Sequence, residues 1–174
     1  MKKLEGEKIY LKPLLLKHAA TFVKWASDPE VIKYTSFKPP KTVKEQKEYI
    51  RKRSNTKTDM IYCIFLKTNH KFIGTVGVHQ LDNSKKQLTI GLFIGDKAEW
   101  GKGYGTDVFK TWTKFLFEEY DAKKLALTVY KENIAAQKVY QKAGFKFKGT
   151  KEVLNQKTGE MQEEFYMELL PKRS

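Results

Sequence analysis

The apolar positions of this chain change their period several times, and each change predicts a new secondary-structure element. Stretches such as EKIYLKP and KLALTVY alternate or are almost continuously apolar, which is typical of β-strands. Elsewhere apolar residues recur every three or four positions, which predicts amphipathic helices. Predicted strands cover residues 7–13, 60–67, 71–81, 87–94, 124–130, 145–154 and 161–169, the last two as a hairpin. Predicted helices cover residues 16–27, about 43–54, a segment that follows Gly105 to about 120, and 133–143.

Capping residues support these boundaries. Thr42, with Glu45 three residues later, is a suitable N-cap for the second helix. Gly144 stands where a glycine that ends a helix belongs. The element order, β-α-α-β-β-β-α-β-α-β-β, predicts an α+β fold in which residues 1–174 form a single domain. We expect one mixed, mostly antiparallel sheet of about seven strands, flanked by four helices and partly parallel around residues 90–130.

The composition is that of a globular protein, with 40% hydrophobic and 31% charged residues. No run of 18 apolar residues exists, so we expect no membrane span. The opening MKKLEGEK lacks the apolar segment of a secretory signal. The single cysteine, Cys63, lies in the apolar run IYCIFL and is interpreted as a small buried core residue. These features favour the cytoplasm.

The formal net charge is +14, from 34 Lys and Arg against 20 Asp and Glu. Such a charge attracts polyanions, namely nucleic acid, an acidic membrane or a multiply phosphorylated ligand. The lysines are spread along the whole chain, so a solvated surface is the simpler interpretation for most of them. No helix-turn-helix, zinc or RNP-type signature accompanies the charge. Contact with nucleic acid or the ribosome, and the oligomeric state, are left open.

The stretch EWGKGYGTDVFK places three glycines within five residues at the start of a predicted helix. A glycine loop that leads into a helix leaves backbone N–H groups free at the positive end of the helix dipole, which is a suitable site for phosphate. Lys102 adds a cation to this loop. Neither a Walker A loop nor G-x-G-x-x-G is matched. The sequence therefore predicts a strand, loop and helix suited to a pyrophosphate.

A second motif, ENIAAQKVYQKAGF, begins one residue before the last predicted helix. Asn133 can cap this helix. Tyr140 lies seven residues later, about two turns on, so both side chains point the same way. Tyr140 either packs in the core or lies near the strand ends where a ligand would bind.

The pair WGKGYGT and ENIAAQKVYQKAGF resembles the acetyl-CoA signature of the GNAT N-acetyltransferase superfamily. The opening EKIYLKPLLLKHAATFVKWASDPEV and the strand TIGLFI resemble the branch of ribosomal-protein N-terminal alanine acetyltransferases and spermidine acetyltransferases. The resemblance covers essentially the whole chain. It implies splayed central strands, acetyl-CoA as the co-substrate and no metal.

The resemblance also implies roles for particular residues. Leu92, Phe93 and Ile94 match the strand whose backbone pairs with the pantetheine arm. The pyrophosphate loop is matched by Trp100, Gly101, Lys102, Gly103, Tyr104, Gly105 and Thr106, although many family members have Gln or Arg where Trp100 stands. Asn133 matches a residue that contacts the cofactor, and Tyr140 matches the tyrosine near its sulfur.

The family reaction is a direct attack of an amine on the thioester carbonyl, which a backbone N–H near Phe93 and Ile94 polarises. Thiols have a pKa of about 8.5 and tyrosine about 10, so Tyr140 is protonated at neutral pH and can donate to the departing thiolate. His79, Glu99 and Asp96 are conceivable bases, but none is assigned.

The acceptor is a primary amine, either a protein N-terminus or a small molecule such as a polyamine, amino sugar or aminoglycoside. The basic net charge favours a protein N-terminus near RNA over a polycation, although a few acids in a pocket can override it. The pocket is expected around residues 28–53 and 150–165, which include Tyr34, Phe37, Arg51, Arg53 and Glu152. The alternatives are a non-catalytic acyl-CoA-binding protein and a nucleic-acid-binding protein.

Overall fold

The computed structural model describes residues 2–54, 59–82 and 86–171. Its strands are β1 (Leu4–Glu5), β2 (Ile9–Pro13), β3 (Met60–Leu66), β4 (Phe72–Asp82), β5 (Gln87–Ile94), β6 (Lys124–Tyr130), β7 (Lys146–Leu154) and β8 (Met161–Leu169). Its helices are α1 (Ala19–Ala26), α2 (Val43–Ser54), α3 (Tyr104–Glu119) and α4 (Ile134–Lys142).

The eight described strands form one sheet in the order β1-β2-β3-β4-β5-β6-β8-β7. Only β5 and β6 are parallel, and the other neighbours are antiparallel. The predicted α+β class, the mixed sheet and its four helices are therefore confirmed. The strand that the sequence missed is β1, which has two residues and is too short to show an alternating pattern. A single domain over residues 1–174 stays a prediction.

Several boundaries follow the local signals closely. The Thr42 hydroxyl accepts the Glu45 N–H at 3.1 Å, and the Glu45 carboxylate accepts the Lys41 N–H at 2.8 Å, so the predicted cap of α2 is present. The helix predicted over 16–27 instead starts with a 3-10 turn, Leu16–His18, before α1. There the Leu15 N–H donates to the His18 ring at 3.1 Å, which favours the tighter turn.

The two faces of the sheet are covered differently. On one face, α3 contributes the fully buried Phe109, Trp112 and Leu116 to the main core. On the other face, Trp25 of α1 contacts Phe72 and Phe93 at ring-centroid distances of 4.7 and 6.2 Å. The sheet is thus buried on both sides at its centre, and alternate residues of β5 point to different environments.

Asp107 fixes the start of α3 against the first strands. Its carboxylate accepts the backbone N–H groups of Glu7, Lys8 and Ile9 at 2.9, 2.7 and 3.1 Å. A Cβ added to Gly6 would lie 2.8 Å from the Asp107 Oδ1, so glycine permits this approach. The glycine loop that precedes α3 is therefore held at a defined position relative to the sheet.

Candidate active site

The centre of the sheet opens where its two parallel strands separate. Pairing between β5 and β6 runs only from Gln87 and Lys124 to Thr89 and Ala126. Beyond that point β5 continues for five residues to Ile94, and β6 continues for four to Tyr130. The predicted splayed strands are thus confirmed. Backbone groups that face the gap have no neighbouring strand, so a ligand with amide groups can pair with them.

Glycines shape the end of β5. A Cβ added to Gly74 on β4 would collide with the Phe93 carbonyl oxygen, so only glycine allows the two strands to approach this closely. A Cβ on Gly95 would collide with the indole of Trp25 in the same way. The end of β5 is therefore clamped by β4 at its edge away from the gap and by α1 on one face of the sheet.

The glycine loop before α3 has the backbone that the sequence predicts for an anion site. Gly101 and Gly103 have φ angles of +74° and +82°, which favour glycine. A Cβ added to either would meet nothing within 4 Å, so packing does not explain why they lack side chains. Gly103 is also the N-cap of the 16-residue α3. The space beside the loop and the helix dipole together suit a phosphate group.

Gly105 differs from these two glycines. A Cβ there would lie 3.4 Å from the side chains of Leu92 and Val139, so Gly105 lets α3 pack closely against β5 and α4. Leu92, Ile94 and Tyr104 are partly buried against the same core. Thr106 is half-buried at the first turn of α3. These residues position the loop, whichever ligand it binds.

Trp100 has a role that the sequence did not indicate. Its indole Nε1 donates to the Ile94 carbonyl at 2.9 Å, while the side chain stays exposed enough, at 40%, to contact a ligand. Phe93, between Leu92 and Ile94, turns to the opposite face and contacts Phe22 and Phe37. The tryptophan thus ties the glycine loop to the end of β5.

The acids considered as bases are engaged in ion pairs. Glu99 binds Lys102 at 2.8 Å and Lys71 at 3.0 Å, and these partners lower the pKa of Glu99. Asp96 binds Lys71 at 2.8 Å and accepts the Ala98 N–H. A carboxylate with a lowered pKa is a poor base. Lys102 lies in the loop as predicted, with Glu99 as its partner.

His79 is the third base considered. It lies on β4 opposite Thr89, and its ring would be 3.5 Å from a Cβ placed on Gly91. Burial lowers the pKa of His79, so the ring is neutral at neutral pH. The structure assigns no role to it as a base.

The second motif forms the helix that the sequence predicts. The Asn133 side chain accepts the Ala136 N–H at 3.2 Å, so its capping role is confirmed. Tyr140 is buried, with ring-centroid distances of 5.0 Å to Phe109 and 6.3 Å to Phe145. Burial raises the pKa of Tyr140 to about 12, so the hydroxyl stays protonated at all physiological pH values.

Cys63 is buried as expected, and burial raises the pKa of its thiol to about 12. A thiol that stays protonated is a poor nucleophile. Among the described residues no group of three His, Cys, Asp or Glu side chains is arranged to hold a metal ion. Within those same ranges no helix is both long and apolar enough to cross a membrane.

The expected acceptor region is only partly what the sequence predicts. A cleft of about 430 Å³ lies between α1, the segment before α2 and α2 itself. Glu152, which the sequence suggested for this region, is exposed. Buried Glu164 and Tyr130 were missed, although the alternation in MQEEFYMEL already separates Glu164 from the core-facing residues. The cleft is lined by Phe22, Phe37, Lys38, Pro39, Pro40, Lys41, Glu45, Gln46 and Tyr49.

Comparison with known proteins identifies the family. Residues 8–146 match the model of the acetyltransferase (GNAT) domain, so this chain belongs to the GNAT acetyltransferase family. An uncharacterized N-acetyltransferase, p20, from Bacillus licheniformis is 24% identical over 86% of this chain and 85% of its own length. A spermine/spermidine N(1)-acetyltransferase from Bacillus subtilis is 34% identical, over 39% of this chain and 45% of that protein.

Solved structures agree with this assignment. A GNAT-family acetyltransferase from Bacillus anthracis superimposes with a TM-score of 0.84, at 20% identity over 97% of this chain and 98% of that one. Spermidine N-acetyltransferase from Vibrio cholerae, solved with CoA and spermine, superimposes with a TM-score of 0.85. The two chains are 18% identical, over 94% of this chain and 95% of that one. These likenesses establish the fold. The family establishes an acetyltransferase enzyme.

The Trp100→Phe variant tests the link between the glycine loop and β5. The change keeps a ring but removes the indole donor to Ile94, which is worth about 1 kcal/mol or about fivefold in local opening. We expect amide hydrogen exchange at residues 101–105 to accelerate by that factor, with the melting temperature nearly unchanged. Unchanged exchange at these amides would show that the hydrogen bond does not hold the loop.

Proposed function

We propose that this protein transfers an acetyl group from acetyl-CoA to a primary amine by direct attack, without a covalent enzyme intermediate. The observation that carries the proposal is the gap between β5 and β6 beside the glycine N-terminus of α3. This arrangement offers unpaired backbone groups and an anion site next to each other. A thioester with an amide-containing arm and phosphates matches both parts.

The residues around the gap fit acetyl-CoA as the co-substrate. Trp100 to Thr106 offer backbone N–H groups and open space to the pyrophosphate. The backbone of Leu92 to Ile94 would pair with the amides of the pantetheine arm, and Asn133 begins the helix on the other side of the gap. The net charge of +14 adds a long-range attraction for this polyanion. When bound, acetyl-CoA supplies the activated acetyl group.

The hydroxyl of Tyr140 stabilises the departing thiolate in this proposal. A pKa of about 12 keeps the proton on the tyrosine, since a CoA-type thiol has a pKa of about 8.5. Tyr140 therefore donates a hydrogen bond to the thiolate, and the final proton comes from the attacking amine or from water.

The acceptor is proposed to be a small primary amine. The Lys157 ammonium donates to the Ile32 carbonyl and to the Thr35 hydroxyl, so the turn between β7 and β8 is fastened to the segment after α1. This contact brings together the two segments, around residues 28–53 and 150–165, in which the acceptor pocket is expected. Two relatives named as spermine or spermine/spermidine acetyltransferases also favour a small amine. A protein N-terminus, expected from the resemblance, stays the second candidate.

Paired glycine substitutions test the pyrophosphate loop. Gly103→Asp places a negative charge in the open space beside the loop, whereas Gly159→Asp places the same residue at a similar φ, +75°, in the β7–β8 turn. Both variants place a non-glycine residue at a positive φ. We expect acetyl-CoA to raise the melting temperature of the wild type and of Gly159→Asp, but not of Gly103→Asp. An equal rise in all three proteins would mean that the phosphates bind elsewhere.

The Tyr140→Phe variant tests the hydroxyl without removing the ring. We expect kcat to fall on the order of 10²-fold, while the dissociation constant of acetyl-CoA stays nearly unchanged. Because the hydroxyl does not ionise below a pH of about 10, kcat of the wild type should show no tyrosine titration between pH 6 and 9. Full activity of the variant across this range, measured as thiol release, would show that solvent alone stabilises and protonates the departing thiolate.

A competition assay tests the acceptor. Peptides beginning with Ala or Ser, a polyamine and an amino sugar are mixed at equal concentration with acetyl-CoA, and products are identified by mass spectrometry. We expect the small amines to be acetylated faster than the peptides. Dominant Nα-acetylation of the peptides would instead support a protein N-terminus. An oligonucleotide titration in parallel tests the alternative that the protein binds nucleic acid. That alternative predicts oligonucleotide binding without thiol release from acetyl-CoA.

A further inference from the structure

A buried phenol without a partner lies at the end of β6, where the gap opens. Tyr130 is 4% exposed, and within the described residues its hydroxyl has no hydrogen-bond partner. Buried polar groups normally have partners, since an unpaired hydroxyl costs ~1–3 kcal/mol. A ligand that pairs with this hydroxyl would remove that cost.

A buried carboxylate stands beside this phenol. Tyr130 and Glu164 are opposite each other in the antiparallel pair of β6 and β8, so their side chains lie on the same face. This is the face away from α3 and α4, because Val129 and Phe165, their neighbours, turn to the main core. Burial, and after it the charge of Glu164, raises the pKa of Tyr130. The tyrosine and glutamate are thus close enough to share one ligand.

Glu168, the next acid along β8, is a carboxylate with close hydrogen-bond partners and can be compared with Glu164. Glu168 accepts from the Lys124 ammonium at 2.6 Å and from the Tyr166 hydroxyl at 2.8 Å. Glu164, with a side chain only 10% exposed, has one described ionic partner, Lys151 at 3.9 Å. That distance is at the outer limit of an ion pair, and the Lys151 side chain is 54% exposed. The ion pair between Lys151 and Glu164 is therefore weak, and the Glu164 carboxylate can bind another cation.

An ammonium group fits this pair better than other groups do. It carries three donors and one positive charge, so it can donate to the Glu164 carboxylate and to the Tyr130 oxygen together. A phosphate or carboxylate would be repelled by Glu164. An apolar group would leave the Tyr130 hydroxyl without a hydrogen bond and Glu164 with only its distant contact to Lys151.

We propose that Glu164 and Tyr130 bind a second, protonated amino group of the acceptor and so determine its specificity. The inference rests on the proposed acetyl transfer to an amine. The amine that attacks must be neutral, because an ammonium has no free electron pair. The group held by Glu164 remains charged, with an amine pKa of about 10.4, and is therefore a different nitrogen. The preferred acceptor is a small molecule with at least two amino groups.

Substrate pairs of equal length test this inference. Linear diamines of three to six carbons are each compared with the monoamine of the same chain length, by thiol release from acetyl-CoA. We expect at least one diamine to exceed its monoamine in kcat/KM by about tenfold or more, as a charge-assisted contact would give. In Glu164→Gln this preference should disappear through a higher KM for the diamine, with the monoamine unaffected.

Two further variants separate specificity from folding. Glu163→Gln removes the neighbouring carboxylate, which pairs with Lys131 and is 42% exposed, and it should keep the diamine preference. Tyr130→Phe removes an unpaired hydroxyl, so its melting temperature should be equal to that of the wild type or higher, while the KM of the diamine rises severalfold. Equal losses for diamine and monoamine in Glu164→Gln would overturn the inference.

A binding measurement keeps the inference separate from the proposed reaction. Diamine binding to the CoA-bound protein is followed by calorimetry in the wild type, Glu164→Gln and Glu163→Gln. Binding that is lost only in Glu164→Gln supports the ammonium subsite even if no acetyl transfer occurs. Binding that survives in Glu164→Gln, alongside normal thiol release, would overturn the subsite and leave the acetyltransferase proposal intact.

Discussion

The rest of the site depends on one constraint, the loss of pairing between β5 and β6 after Thr89 and Ala126. A sheet normally satisfies its own backbone, and unpaired groups at its centre are costly unless something else binds them. The surrounding structure therefore has to hold the gap open, and a ligand that pairs with these groups gains binding free energy. The position of the gap also determines which groups a ligand would contact, because the amino end of α3 lies at one side of the gap and the end of β6 at the other. The end of pairing in this ladder thus leaves open backbone groups beside the amino end of α3, and the proposed cofactor site rests on that arrangement.

Several residues that hold the gap open lie outside the groups that are proposed to contact a ligand. Gly74 lets β4 approach Phe93 closely, and the Trp25 indole lies against Gly95, so the end of β5 is fixed from its far side. Trp100 then connects this end to the glycine loop. On the other strand, the Gln137 side chain donates to the Tyr130 and Lys131 carbonyls at 3.3 and 2.7 Å, which holds the end of β6 against α4. The site is preorganised by packing and hydrogen bonds that exist without any ligand.

The sequence predicted the elements well wherever the signal was local. Residues 87–94 and 124–130 form strands as expected, and Asn133 and Gly144 stand at the ends of α4, with a φ of +96° at the glycine. The contacts that a sequence pattern could not predict join residues distant in the chain. Glu164 illustrates this, because alternation along β8 places it off the core face, but only its register with Tyr130 and the cover provided on that face make it buried. Glu152 carries the same charge on β7 and is exposed, so residue type and region alone could not distinguish the two.

The distribution of charge explains how one basic protein could receive both a polyanion and a cationic acceptor. The excess of lysine is spread over the surface, where salt screens each charge beyond about 8 Å. At long range such a surface attracts phosphates and opposes polyamines. Glu164 acts differently, because a carboxylate out of bulk water interacts strongly with a group in contact and is screened little. In the proposed function, the net charge therefore influences how a ligand approaches, whereas Glu164 determines which amine binds. The two effects do not conflict, because the proposed anion site at Gly103 lies beside the end of β5, whereas Glu164 lies beside the end of β6.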